Sequence, residues 1–161
     1  MIKDSGNRTE FASGAVRDIQ EGKGRCDLLP LGVAASCIDR PAVLTSIDNF
    51  MAYNELLWLR MAIAQFCVER DWDIPTMLLE VAVHFEEGAK KYGERNWQKG
   101  IPVSRYIDSA VRHYLKFRRG DDDERHDRAF CWNIICAIWT CVYMPELNEY
   151  KEQEMEGDLE T

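Results

Sequence analysis

FCWNIICAIWTCVYM, residues 130–144, is the stretch on which the fold turns. Phe130, Trp132, Ile134, Ile135, Ile138, Trp139 and Val142 make it apolar nearly all round, and a helix of that kind needs cover on every side. The apolar run is too short to cross a bilayer and is interrupted by Thr140. Pro145 stops it, and Asp121, Asp122, Asp123 and Glu124 ahead of it complement a helix N-terminus. Cys131, Cys136 and Cys141 act inside it as small hydrophobes. With no Cys-x-x-Cys pair anywhere, the six cysteines read as reduced thiols of a cytosolic protein.

Working outward, three more helical patterns precede it. The first runs from about residue 48 to 69, capped by Ser46, with Phe50, Tyr53, Leu57, Met61, Ala64 and Val68 recurring at helical spacing. The second starts at Pro75 and ends before Gly93, with Leu78, Leu79, Ala82, Phe85 and Ala89 as its apolar stripe. The third opens near Pro102 and stops at Gly120, with Ile107, Ala110, Val111, Tyr114 and Leu115 inward. No segment alternates with a period of two for long enough to be a strand. The expectation is an all-α antiparallel bundle of about four helices with an irregular N-terminal segment. Residues 1–30 form that Gly/Arg-rich segment, 31–145 the helical domain and 146–161 an acidic, solvated tail. The all-round apolar last helix, in a chain this small, predicts a homo-oligomer.

Length and charge set further bounds. At 161 residues and 46% hydrophobic content, one core is the default. Residues 1–25 are polar, which predicts no secretory leader and a soluble, cytoplasmic protein. Most of the −8 net charge comes from the seven acids of residues 145–161, so the body is nearly neutral. A body without a basic excess argues against duplex nucleic acid as partner.

Several polar groups lie where a bundle would bury them. Glu80, His84 and Glu87 share one face of the second helix, at i, i+4 and i+7. Carboxylates facing a bundle interior need cations or a metal, and hard oxygen ligands suit Mg²⁺, which phosphates also bind; a solvated face is the plainer reading. Asp108 and Arg112 stand at i, i+4 beside His113, with Lys116 four further on, and His126 and Asn133 share a face of the last helix. Two stretches add cations and aromatics: Lys23 and Arg25 in Gly22-Lys23-Gly24-Arg25, and Lys91, Tyr92, Asn96 and Trp97 where the second helix ends. Neither has Walker spacing. His126-Asp127 is also a His-Asp dipeptide, as in HD-type metal phosphohydrolases, although the only downstream Asp is Asp158 in the tail.

The motifs DSGNR (4–8), GAVRD (14–18), EGKGR (21–25) and DLLP (27–30) resemble the N-terminal motifs of phage and prophage dATP/dGTP diphosphohydrolases. The similarity resumes with EEGAKKYGERNW (86–97), KGIP (99–102), Ser104-Arg105, DSA (108–110), Arg112-His113 and GDDDE (120–124), and reaches His126 and Trp132-Asn133. It spans 4–30 and 78–140, with 31–77 looking like an insertion. The resemblance implies a relation to the all-helical MazG-like pyrophosphohydrolases, which bind Mg²⁺ through Glu-x-x-Glu and Glu-x-x-Asp and cleave between the α- and β-phosphates. This chain departs from that pattern: Val83 stands three after Glu80, Glu124-x-x-Asp127 is the one match to the second motif, and Ala129 replaces a second His three after His126.

The function so implied is hydrolysis of a purine deoxynucleoside triphosphate to monophosphate and pyrophosphate, in phage nucleotide metabolism in the host cytoplasm. Glu80, Glu87, Asp121 and Asp122 would hold Mg²⁺ (or Mn²⁺), and His126 or His113 would act as general base or position the water. Lys23, Arg25, Lys91, Arg112 and Lys116 would offset phosphate charge. Tyr92, Asn96, Trp97 and Asn133 would contact the nucleotide. Two alternatives stand beside it: a protein that sequesters a nucleotide without cleaving it, and an HD-like hydrolase releasing triphosphate.

Overall fold

The computed structural model describes residues 2–35 and 42–152. Two short strands, β1 (Arg8–Glu10) and β2 (Val16–Asp18), form an antiparallel hairpin with Arg8 opposite Asp18. Six helices follow: α1 (Leu31–Ala35), α2 (Ala42–Tyr53), α3 (Leu56–Arg70), α4 (Ile74–Tyr92), α5 (Val103–Arg119) and α6 (His126–Tyr143). The fold is an all-α bundle with an irregular N-terminal segment. Its helices pack chiefly as α5 on α6, α2 on α3 and α4 on α6. Phe66, Tyr106, Tyr114, Phe130 and Ile134 are fully buried at the centre, and Phe66 alone stacks against Trp72, Tyr114, Phe117 and Phe130.

The helix boundaries obey the sequence signals on the C-terminal side. Asp73 caps α4 by accepting from the Thr76 amide at 2.7 Å, Pro75 sits in its first turn, and Gly93 ends it. Gly120 takes the left-handed conformation (φ 85°) that closes α5, and its amide returns to the carbonyls of Lys116 and Phe117. Upstream the expectation fails. The single helix read over 48–69 is two helices, because Asn54 adopts φ 54° between α2 and α3, a conformation Asn tolerates better than most residues. That break resets the helical phase. Leu57, Met61, Ala64 and Val68 therefore face out, and Leu59, Ala62, Ile63 and Phe66 face in. Ser46 is no cap: it lies buried inside α2 and its hydroxyl donates to Gln65.

A further correction concerns the buried face of α4. Leu78, Leu79 and Ala82 of α4 are exposed, and the buried positions are Met77, Val81 and His84. Residues 77–89 carry apolar groups at helical spacing on both sides, and the side bearing His84 is the one turned inward. The apolar girdle of α6 packs against α3, α4 and α5 along most of its length, while Val142 at its C-terminal end is 50% exposed. The start of the acidic tail is also packed: Tyr150 stacks edge-on against Phe50, and Glu149 accepts from the amide and hydroxyl of Ser104 at the start of α5. Residues 153–161 lie outside the described residues. No described helix is long and apolar enough to cross a membrane.

Candidate functional site

Residues 2–30 cross the bundle as a strap, and two carboxylates latch it, one buried and one half-buried. Asp108, on α5 and 1% exposed, accepts from the Gln20 side chain at 2.7 Å, from the Cys26 amide at 2.6 Å and from Arg112. Arg112 in turn donates to the carbonyls of Lys23 and Gly24. Burial raises the Asp108 pKa, but hydrogen bonds from Arg112, Gln20 and the Cys26 amide outweigh it and hold the carboxyl below its usual range. Asp18, on the hairpin, takes Lys91 and Tyr92 of α4 at 3.1 Å each, together with Arg8. Asn96 adds a third latch, exchanging two hydrogen bonds with the Val16 backbone at 2.8 and 2.9 Å.

Between strap and helices lies a cavity of about 630 Å³, within the size range of small-molecule sites. One wall is aromatic. Phe85, Trp97 and Trp132 line it, and Trp132 stacks within 5.9 Å of Phe85, His84 and Tyr106. Arg17 lies over the Tyr106 and Trp132 rings and donates to Asn133 Oδ1 at 3.0 Å. Three buried polar atoms on this wall have no protein partner: Arg17 Nη1, His84 Nδ1 and Trp132 Nε1. All three belong to residues that line the cavity, where Arg17, His84 and Asn133 set polar side chains beside the aromatic rings. Burial pushes His84 down to about 4, and the nearby Arg128 and Arg17 act in the same direction, so its ring is neutral at physiological pH.

The other end is charged. Lys23, Arg112 and Lys116 line it with Glu87, Glu124 and His113. Burial lowers the Lys23 pKa. His113 Nδ1 meets His126 Nδ1 at 2.9 Å, while His126 Nε2 lies 2.8 Å from Asp123. Burial, and next to it the neighbouring His126, push His113 well below the usual imidazole range. Hydrogen bonds from Lys3 and His126 hold Asp123 well below the carboxylate range.

Of the residues singled out in the sequence, Lys23, Glu87, Tyr92, Asn96, Trp97, Arg112, His113, Lys116 and Asn133 line this cavity. Several of them serve the architecture there: Tyr92 and Asn96 hold the strap, and Asn133 holds Arg17. Lys91 stands behind the lining as a strap latch, and Arg25 is paired with Asp27 outside it. His126 reaches the cavity only through His113.

The carboxylates expected to form a Mg²⁺ site do not converge. Glu80 is held by Arg125 and Arg128, and Asp121 by Arg119. Asp122 is exposed, beside a different and smaller depression. Only Glu87 of the four lines the cavity, so that set does not fit a hard oxygen cage. Asp127 also turns away, clamped by Arg70 and Arg125, which leaves the His-Asp dipeptide without its carboxylate at the His113 side. The sequence reading passed over Arg17, Asp18, Asp108 and Trp132 as site residues. All four lie inside the motifs quoted above, but nothing in their spacing announces that the N-terminal segment folds back over α5 and α6.

Comparison with known proteins adds one match. The family model described as dATP/dGTP diphosphohydrolase, N-terminal, matches residues 63–154, more than half of the chain. That span takes in α4, α5 and α6 with the aromatic wall, the His113–His126 pair, Arg112 and Lys116, and leaves the strap outside it. No curated protein and no solved structure matches.

Proposed function

Since the chain belongs to the dATP/dGTP diphosphohydrolase N-terminal family, we propose that it hydrolyses a purine deoxynucleoside triphosphate to monophosphate and pyrophosphate. The observation that carries this reading is the cavity under the strap, which sets an aromatic wall with Arg17, His84 and Asn133 against a cationic end. The purine lies against Trp132 and Phe85, where aromatic faces stack on a base. Its polar edge meets Arg17, His84 and Asn133. Lys23, Arg112 and Lys116 take the phosphates, whose charge must be offset for phosphoryl transfer.

In the reaction, a water oxygen bonds to the α-phosphorus and the bridging bond to the β-phosphate breaks. Pyrophosphate leaves, and the water proton passes to the corner formed by His113, His126 and Glu124. His113, whose burial favours the neutral ring, is the imidazole that lines the cavity there to receive it. The enzyme would so trim the purine deoxynucleotide pool in phage nucleotide metabolism. A sequestering protein would share the pocket, and the capture of Glu80 by two arginines favours that second reading.

One assay separates them: purified protein incubated with each dNTP and NTP plus Mg²⁺ or Mn²⁺, with products resolved by anion exchange. Monophosphate with pyrophosphate from dATP or dGTP is the expected result. Nucleotide recovered intact on the protein would overturn the hydrolytic reading in favour of sequestration. Inorganic triphosphate as product would replace it with the HD-like reading.

A further inference from the structure

We infer that His113, Glu124 and His126 form a site for one divalent transition ion of the Zn²⁺ or Co²⁺ class, at the charged end of the cavity. One donor atom from each of the three lies within 4.8 Å of the other two. Two nitrogens bound to one ion at about 2.0–2.1 Å stand about 2.9–3.4 Å apart, depending on the angle between them. The His113 and His126 nitrogens are already 2.9 Å apart.

A second observation points the same way. His126 Nε2 faces the Asp123 carboxylate at 2.8 Å, and a carboxylate can only accept there. The ring is thereby fixed in the tautomer that leaves the Nδ1 lone pair toward His113. A ligating histidine oriented through its other nitrogen by a carboxylate is the usual outer-shell arrangement of protein metal sites. Glu124 is a partly exposed lining residue whose Oε1 accepts from the Lys3 amide, and a carboxylate keeps lone pairs beyond that bond.

Donor chemistry sets the ion class. Two imidazoles and one carboxylate suit Zn²⁺ and its first-row neighbours, whereas Mg²⁺ takes oxygen ligands. Three protein ligands beside an open cavity leave a position for water or a phosphate oxygen. The neighbouring trio of Asp121, Asp123 and His126 competes for the same ring, but Arg119 and Lys3 already pair its two carboxylates. This inference deepens the proposed reaction by naming the metal class at its water-activating corner, while the metal site itself stands on the side-chain geometry alone.

The test is uptake of Co²⁺ by the chelator-treated full chain without nucleotide, followed by visible absorption and calorimetry. The expected result is one Co²⁺ per chain, retained in a large excess of Mg²⁺. Affinity falls by at least about tenfold in His126→Gln and in Glu124→Gln, given the usual cost of disturbing a metal site, and stays unchanged in Glu80→Gln and Asp122→Asn. His126 is buried and its replacement can unfold the helix, so Glu124→Gln, with its circular dichroism checked, is the deciding variant. No uptake by the wild-type chain, or uptake unaltered in folded Glu124→Gln, would overturn the site. An inactive chain that takes up Co²⁺ in this pattern keeps the metal site and loses the reaction; an active chain that does not loses only the metal site.

Discussion

At the scale of single residues, Asp108 and Lys116 separate holding the site together from using it. Asp108 is buried yet charged because Arg112, Gln20 and the Cys26 amide all donate to it. Removing it takes the carboxylate partner from Arg112, whose side chain is only 15% exposed. Asp108→Ala is therefore expected to cost about 3–5 kcal/mol, the range for breaking a buried pair, read as a lowered urea midpoint. The pH dependence has a definite sign. A carboxyl held below its unfolded value of about 3.9 contributes full stability above that pH and loses it as pH falls through the lower folded value. The strap latch thus holds at neutral pH and releases only in strong acid. Lys116, by contrast, latches no part of the strap. Lys116→Ala should lower kcat/KM for the triphosphate by about tenfold or more, the worth of one charge-assisted hydrogen bond, with the urea midpoint unchanged. An unchanged kcat/KM would remove Lys116 from the phosphate site.

At the scale of elements, the strap decides whether there is a cavity at all. Residues 2–30 bury little of their own and are tied down by Asp18, Asn96 and Asp108, so limited proteolysis should cut there first. If dATP or dGTP fills the space beneath, either nucleotide should slow that cleavage in wild-type protein and fail to do so in Asp108→Ala. The helices of the C-terminal half were legible because starts and terminators are local: Pro75, Gly93 and Gly120 act within one turn of chain. The N-terminal half was not. A single left-handed residue, Asn54, rotates everything after it relative to an unbroken helix, and a period count across 48–69 cannot register that. The three-residue strands are too short to show alternation, and they are held by side chains from α4, α6 and the 96–99 turn. The site was half legible for the same reason. Residues of one helix, such as Arg112, His113 and Lys116, can be grouped by spacing, whereas the approach of Arg17 to Trp132 joins positions 115 apart.

At the scale of the whole molecule, a neutral histidine is buried in the wall of a ligand cavity, and stability must record it. His84 titrates near 4 in the fold, against an ordinary value of 6.5. With the folded value lowered, the unfolded chain takes up the proton first as pH falls. Stability is then full above about 6.5 and declines toward 4, by about 3 kcal/mol at most for this group. Thermal melts between pH 7 and 4 should show that decline, and His84→Leu should flatten it. A slope equal in both proteins would mean that the ring is not buried neutral. The central claim, that the space between strap and bundle hydrolyses purine deoxynucleoside triphosphates at the α-phosphorus, is tested most directly by isotope. With dATP or dGTP in ¹⁸O-water, the account predicts one label in the monophosphate and none in the pyrophosphate. Label in pyrophosphate, release of inorganic triphosphate, or nucleotide recovered intact and unlabelled would contradict it.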